Sequence, residues 1–173
     1  MKRQVNIFDR IGTLIPGYMG YQEREGRREC DRQLREQIAD QLTSVEKIIN
    51  SLIENTHFEN LGEIEKIRKK INNLSSLIRY SSYGATAFFA DAVIKEPELE
   101  NIYQLDLVVL DATNDLMQSA KSNDLDPIKI KIELVEKAIG ERNQYLKEIY
   151  YARIDGNNRV PRQCRRDYGT SAT

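Results

Sequence analysis

The chain has a single histidine, in Glu54-x-x-His57, where two metal-ligating residue types fall three positions apart and share one helix face. Di-metal helical bundles combine two such pairs with two further glutamates. One histidine cannot complete that set within one protomer, so this spacing supports only a ferritin-like metal-binding bundle whose site is shared between protomers. At a helix end His57 equally suits the negative pole of the helix dipole. Asp106, Asp111 and Asp115 set three carboxylates along one later helix. Buried together, with split pKa values, they could do acid–base work; on a charge-rich helix a solvated face is the simpler outcome. There is no GxxxxGK[ST], GxGxxG or GxSxG pattern, and a cysteine nucleophile would have only His57 as its base. These patterns point to no catalytic residue and no cofactor.

Two other groups of residues are better suited to recognition than to catalysis. Residues 22–36 hold five charges of each sign: Glu23, Arg24, Glu25, Arg27, Arg28, Glu29, Asp31, Arg32, Arg35 and Glu36. Ion pairs one helical turn apart contribute only about 0.2–0.5 kcal/mol each, and a glycine such as Gly26 in mid-helix costs about 1 kcal/mol relative to alanine. The segment therefore needs contacts beyond its own helix, with the tail, another subunit or a partner. That need makes Arg24, Arg27, Arg28, Asp31, Arg32 and Arg35 the expected partner-binding residues. The second group is aromatic. Tyr18 and Tyr21 precede the long helix, and Tyr80, Tyr83, Phe88 and Phe89 surround a break in mid-chain. Rings with polar tips suit an end-cap in which each hydroxyl finds a partner; the other reading is a groove for a peptide or small ligand.

The elements that must position these groups read as helices. Val5, Phe8, Ile11 and Ile15, flanked by Ile7 and Leu14, recur at helical spacing over residues 4–15. So short an amphipathic helix is marginal alone. It either docks on the bundle or a neighbouring subunit, or lies on an anionic membrane with Phe8, Ile11 and Leu14 inserted. Pro16-Gly17 then turns the chain. A helix predicted over residues 22–56 carries Leu34, Ile38, Leu42, Val45, Ile49 and Leu52 at nearly heptad spacing. Asn60-Leu-Gly-Glu63 has capping-box spacing and opens a second seam, Ile64, Ile67, Ile71, Leu74 and Ile78. Gly84 is a candidate C-cap. After Glu96-Pro97 a third helix carries Leu99, Ile102, Tyr103, Leu110, Leu116 and Met117, with Asp106 and Thr113 leaning inward. Asp126-Pro127 is read as an N-cap followed by proline at the first helical position. It opens a fourth seam of Ile128, Ile132, Val135, Ile139, Leu146 and Ile149. The alternation Ile128, Ile130, Ile132, Leu134 would also suit a strand; the longer period and the caps favour helix.

The predicted fold is all-α: a four-helix bundle of two antiparallel hairpins over residues 21–153. An amphipathic helix and Pro-Gly turn occupy residues 1–20, and residues 154–173 form a flexible basic tail. The totals agree: 40% hydrophobic and 31% charged residues, with no tryptophan. Net charge is -1, yet both ends are basic and the body is acidic. The tail arginines Arg159, Arg162, Arg165 and Arg166 could anchor to anionic lipid. Specific nucleic-acid reading is not expected, because the tail lacks interleaved aromatics apart from Tyr168 and the body is acidic. No run of about 18 apolar residues suggests a membrane span, no secretory signal pattern is seen, and Cys30 and Cys164 lack metal or redox spacing. A cytoplasmic protein with free thiols, peripheral at most to a membrane, is the expectation.

Ile15-Pro-Gly-Tyr-Met-Gly-Tyr21, Glu23-Arg-Glu25, Arg27-Arg28 and Asp31, together with Ile78-Arg-Tyr-Ser-Ser-Tyr-Gly84 and Phe88-Phe89, resemble a pattern of uncharacterised bacterial helical proteins. The resemblance covers roughly a quarter of the chain and implies no activity. Ile7-Phe-Asp-Arg-Ile11 is also similar to the N-terminal amphipathic helix of phage shock protein A-type membrane-remodelling proteins, from which the chain departs at the proline turn and the charge block. The functional expectation is a non-enzymatic helical adaptor or assembly subunit, self-associating or bound to a protein partner, with residues 1–15 available to a membrane surface.

Overall fold

In the computed structural model the described residues are 7–21, 26–55, 61–80, 94–122 and 124–154. They form five helices and no strand: α1 (Ile7–Leu14), α2 (Arg27–Asn55), α3 (Leu61–Tyr80), α4 (Glu96–Ala120) and α5 (Leu125–Ile154). The alternation at residues 128–134 is helical, as the longer period required.

The start signals differ in detail from the sequence reading. Gly26 is not mid-helix: it lies in a turn, its carbonyl accepts from the Cys30 N–H at 2.9 Å, and α2 begins at Arg27. The glycine penalty expected there does not arise. α5 begins one residue before Asp126, and Asp124 is the side chain that caps, accepting from the Asp126 N–H at 3.2 Å. Pro127 still falls in the first turn, where its missing N–H costs no helical bond. At α4, Pro97 is in the first turn and the Glu98 carboxylate reaches back to the Lys95 N–H at 2.8 Å. Asn60, Gly84 and the basic tail lie outside the described residues.

The pairing of the helices follows from who touches whom. Along α2, residues 35, 39 and 46 meet residues 79, 75 and 68 of α3, so these two helices run antiparallel. Residues 101, 106 and 115 of α4 meet residues 145, 142 and 131 of α5, again antiparallel. Glu63 and Lys70 of α3 pair with Lys129 and Glu136 of α5, so α3 and α5 run in the same direction. α2 packs beside α4, which leaves α2 and α5 on a diagonal. The interior is aliphatic, with Leu34, Ile38, Leu42, Val45, Ile49, Ile71, Ile78, Ile102, Leu116, Ile128, Ile132, Ile139 and Ile149 almost wholly buried.

α1 lies across α4. Ile11 is fully buried and Ile15 nearly so, while Ile7 and Phe8 are half-buried against the core and Leu14 is 38% exposed. Arg10 forms an ion pair with Asp111 at 3.2 Å in a solvent-exposed setting. Gly17 and Gly20, at φ +80° and +77°, let the chain double back after α1 in a conformation that a side chain disfavours. At Gly20 there is also no room, because an added Cβ would collide with the Phe8 ring and the Tyr103 hydroxyl.

Candidate functional site: a buried ion-pair and tyrosine network

The aliphatic interior is interrupted at one end by charge. In α5 the buried positions Ile128, Ile132, Val135, Ile139, Arg142, Leu146 and Ile149 keep strict heptad spacing, so Arg142 occupies an ordinary core position. Its side chain is 1% exposed. Nε donates to Asp106 Oδ1 and Nη2 to Asp31 Oδ1, each at 2.6 Å. Asp106 also lies on its helix's seam, between Ile102 and Val109, and is fully buried. Asp31 extends the α2 seam backward from Leu34, and its second oxygen accepts from Arg35 Nε at 2.8 Å. Arg35 Nη1 in turn donates to the carbonyl of Arg79 at 2.9 Å. Cation and carboxylate alternate along the line Arg35, Asp31, Arg142, Asp106.

The turn after α1 docks on the far end of this line. The Tyr21 hydroxyl donates to Asp106 Oδ2 at 2.7 Å, and its backbone N–H donates to the Tyr103 hydroxyl at 2.5 Å. Arg27 Nε donates to the Tyr21 carbonyl at 2.6 Å. The rings pack as well as bond: Tyr21 stacks on Tyr103 with centroids 5.2 Å apart, Tyr18 meets Tyr21 edge-on at 6.0 Å, and Phe8 meets Tyr103 edge-on at 6.1 Å. Such pairs contribute about 0.5–1.5 kcal/mol beyond their buried area.

Burial sets the electrostatics. Moving an ion from water into a protein interior costs several kcal/mol unless it is paired and hydrogen-bonded. Burial pushes the Asp106 carboxyl above its ordinary range, and the Arg142 guanidinium beside it pulls the other way without fully offsetting the rise. Burial disfavours the charged form of Arg142, but Asp106 and Asp31 outweigh it and hold the guanidinium charged. Tyr21 is raised well above the usual phenol range by burial and then by the neighbouring Asp106; Tyr18 rises for the same two reasons, and burial raises Tyr103. Arg142 Nη1 is buried and makes no hydrogen bond to a described residue.

The expected partner-binding residues divide by helix face. Arg27, Asp31 and Arg35 are buried, at 7%, 2% and 8% exposure, and their described partners are the α1–α2 turn, α3 and α5 of the same chain. Arg28 and Arg32 face outward, and Arg32 bridges Glu29 and Glu36 at 2.6 and 2.7 Å. Arg24 lies outside the described residues. Residues 27–35 thus have a reason for order within the chain, in buried and paired charge. Of the aromatic group, Tyr18 and Tyr21 are buried, and the described rings against them are Phe8 and Tyr103. Tyr80 is 75% exposed, and Tyr83, Phe88 and Phe89 lie outside the described residues. Of the three aspartates on α4, Asp106, at an inward-leaning position, is fully buried, whereas Asp111 and Asp115 are exposed and paired with Arg10 and Lys131.

Glu54 belongs to the last turn of α2 and His57 lies outside the described residues. Among the described residues no three metal-ligating side chains converge, and no helix is long and apolar enough to cross a membrane. Cys30 is a buried free thiol. Its pKa is raised by burial against the opposing effect of the Met19 and Gly20 N–H groups.

Arg142 is the residue that sequence reasoning missed. The signal was present, as a single gap of seven between Ile139 and Leu146 in an otherwise regular seam, filled by an arginine. Gly20, Tyr21, Arg27 and Asp31 all lie at this network or against it. The chain matches no family model, no curated protein and no solved structure.

Proposed function

We propose that the protein is a non-catalytic helical adaptor or assembly subunit, built as a four-helix bundle of two antiparallel hairpins. It engages a protein partner, or a second copy of itself, through the outer face of the first turns of α2. The observation that carries this reading is the two-sidedness of that segment. Its inner face is fastened by Arg27, Asp31 and Arg35, while Arg28 and the Glu29–Arg32–Glu36 array stand on the outside. A helix end held rigidly presents its charges without the ordering cost that a loose segment would incur on binding. Charged side chains on such a surface steer association and set specificity more than they supply affinity.

The test is affinity capture of the native chain, with mass spectrometry to identify what is bound, repeated with Arg28→Glu/Arg32→Glu. A partner, or a second copy of the chain, retained by the parent and lost from the charge-reversed variant supports the reading. Identical capture by both would end it.

A membrane role for residues 1–15 competes with the docking of α1. Burial of Ile11 and Ile15 supports docking on α4, since the same apolar face cannot contact both. Co-sedimentation with anionic liposomes at low salt, lost in Phe8→Glu, would favour the membrane.

A further inference from the structure

The aliphatic seams of this protein are nearly uniform. The buried side chains of α3 are Ile64, Ile67, Ile71, Leu74, Ser75 and Ile78, and the apolar seam of α5 is Ile128, Ile132, Val135, Ile139, Leu146 and Ile149, with Ala138 and Tyr145 beside it. Sliding one such seam past another by a heptad brings aliphatic side chains of similar volume back into register at the seam positions, with Tyr145 for Ala138 as the large mismatch beside them. The apolar core therefore discriminates poorly between alignments. Among the described residues the buried polar side chains are few. Thr113 turns back to the Val109 carbonyl of its own helix, and Ser75 reaches the Ala39 carbonyl only at 3.4 Å. The remaining ones, Arg27, Asp31, Arg35, Asp106 and Arg142, are at one end and bind across elements.

We infer that the line Tyr21–Asp106–Arg142–Asp31–Arg35 selects the register of α2 against α5 and the seat of the α1–α2 turn, while the aliphatic seams supply the stability. A slip by one turn of α5 moves Arg142 about 5.4 Å along the helix axis. Both 2.6 Å contacts are then broken: buried Asp106 loses its described cation, and Asp31 retains only Arg35. A buried ion that loses its partner carries a heavy penalty, which an aliphatic seam position does not. The diagonal position matters: Arg142 reaches from α5 to both α2 and α4, so one side chain fixes two helices. Because Asp106 Oδ2 is reserved for Tyr21, the same carboxylate requires the N-terminal turn to be seated. This inference does not depend on the adaptor reading.

The test replaces the line by apolar residues of similar size: Tyr21→Phe, Asp31→Leu, Arg35→Met, Asp106→Leu and Arg142→Met together. Both parent and variant carry Cys30→Ala and Cys164→Ser, with spin labels on Lys47→Cys in α2 and Lys147→Cys in α5, two exposed positions. The variant is expected to keep its helical circular dichroism, with a thermal midpoint at or above the parent's. Its label-to-label distances should broaden into several populations, or the chain should self-associate in light scattering. A single narrow distance matching the parent's, in a monodisperse sample, overturns the inference. Loss of helical signal also overturns it, because the seams would then not carry the stability. A milder variant, Asp31→Asn/Asp106→Asn, keeps the shape of the side chains and removes their charge. It should broaden the distances with a midpoint below the parent's, and an unchanged narrow distance counts against the inference.

Discussion

Arg142 and Asp31 are 111 residues apart in the chain and 2.6 Å apart in the fold, with both side chains at or below 3% exposure. That contact joins the first turns of α2 to the middle of α5. It is made where solvent cannot compensate for either charge. Removing one partner of such a pair leaves the other ion buried and uncompensated.

Arg142→Ala should therefore cost about 3–5 kcal/mol of folding stability, read as a shift of the urea midpoint followed by circular dichroism. Arg32→Ala, which removes an exposed arginine bridging two glutamates, should leave that midpoint nearly unchanged, because solvent screens the pairs. Equal losses in the two variants would show that burial is not what gives Arg142 its importance.

Gly17 and Gly20 have nearly the same backbone conformation but different surroundings. Gly17→Ala meets nothing within 4 Å and should cost only the left-handed penalty of about 1–2 kcal/mol. Gly20→Ala must in addition displace Phe8 and Tyr103, so the loss should be distinctly larger. It should come with a change in near-ultraviolet tyrosine dichroism that Gly17→Ala does not show. The reverse order in thermal midpoints would contradict the packing described for the turn.

Tyr21 and Asp106 should be energetically coupled. In a double-mutant cycle of Tyr21→Phe and Asp106→Asn the interaction energy should fall within about 0.5–3 kcal/mol, the range for residues in one hydrogen-bonded network. Strict additivity of the two single changes would mean that the 2.7 Å bond contributes nothing to stability.

Tyr18, Tyr21 and Tyr103 all have pKa values raised by burial. A phenol whose folded pKa exceeds its unfolded value of about 10 contributes stability that is complete below that pH. The contribution is lost as pH rises through the folded value. Stability should thus fall with pH above about 10. The tyrosinate absorbance at about pH 11 should stay short of the full nine tyrosines. The missing part should appear together with loss of helical dichroism. Complete titration of all nine with the helices intact would contradict the burial of the turn.

The all-helical fold was legible from sequence because helical periodicity is local: seams such as Ile64, Ile67, Ile71, Leu74 and Ile78 declare their inward face within a few turns. Prolines 97 and 127, in the first turns of α4 and α5, marked helix starts for the same local reason. The inward lean of Asp106 and Thr113 could also be read from spacing alone, and both are fully buried. What only the tertiary structure decided is where the charges of residues 27–35 go. Periodicity places Arg27, Asp31 and Arg35 on the seam face, but a charged residue there is tolerable only if a counter-charge meets it. Whether one does depends on α5, more than a hundred residues later, arriving diagonally with Arg142 at the right height. A hydrophobic face needs only some other hydrophobic face, which a sequence can announce by itself. A buried ion needs one particular partner atom within about 3 Å, and that pairing exists only once the helices have assembled.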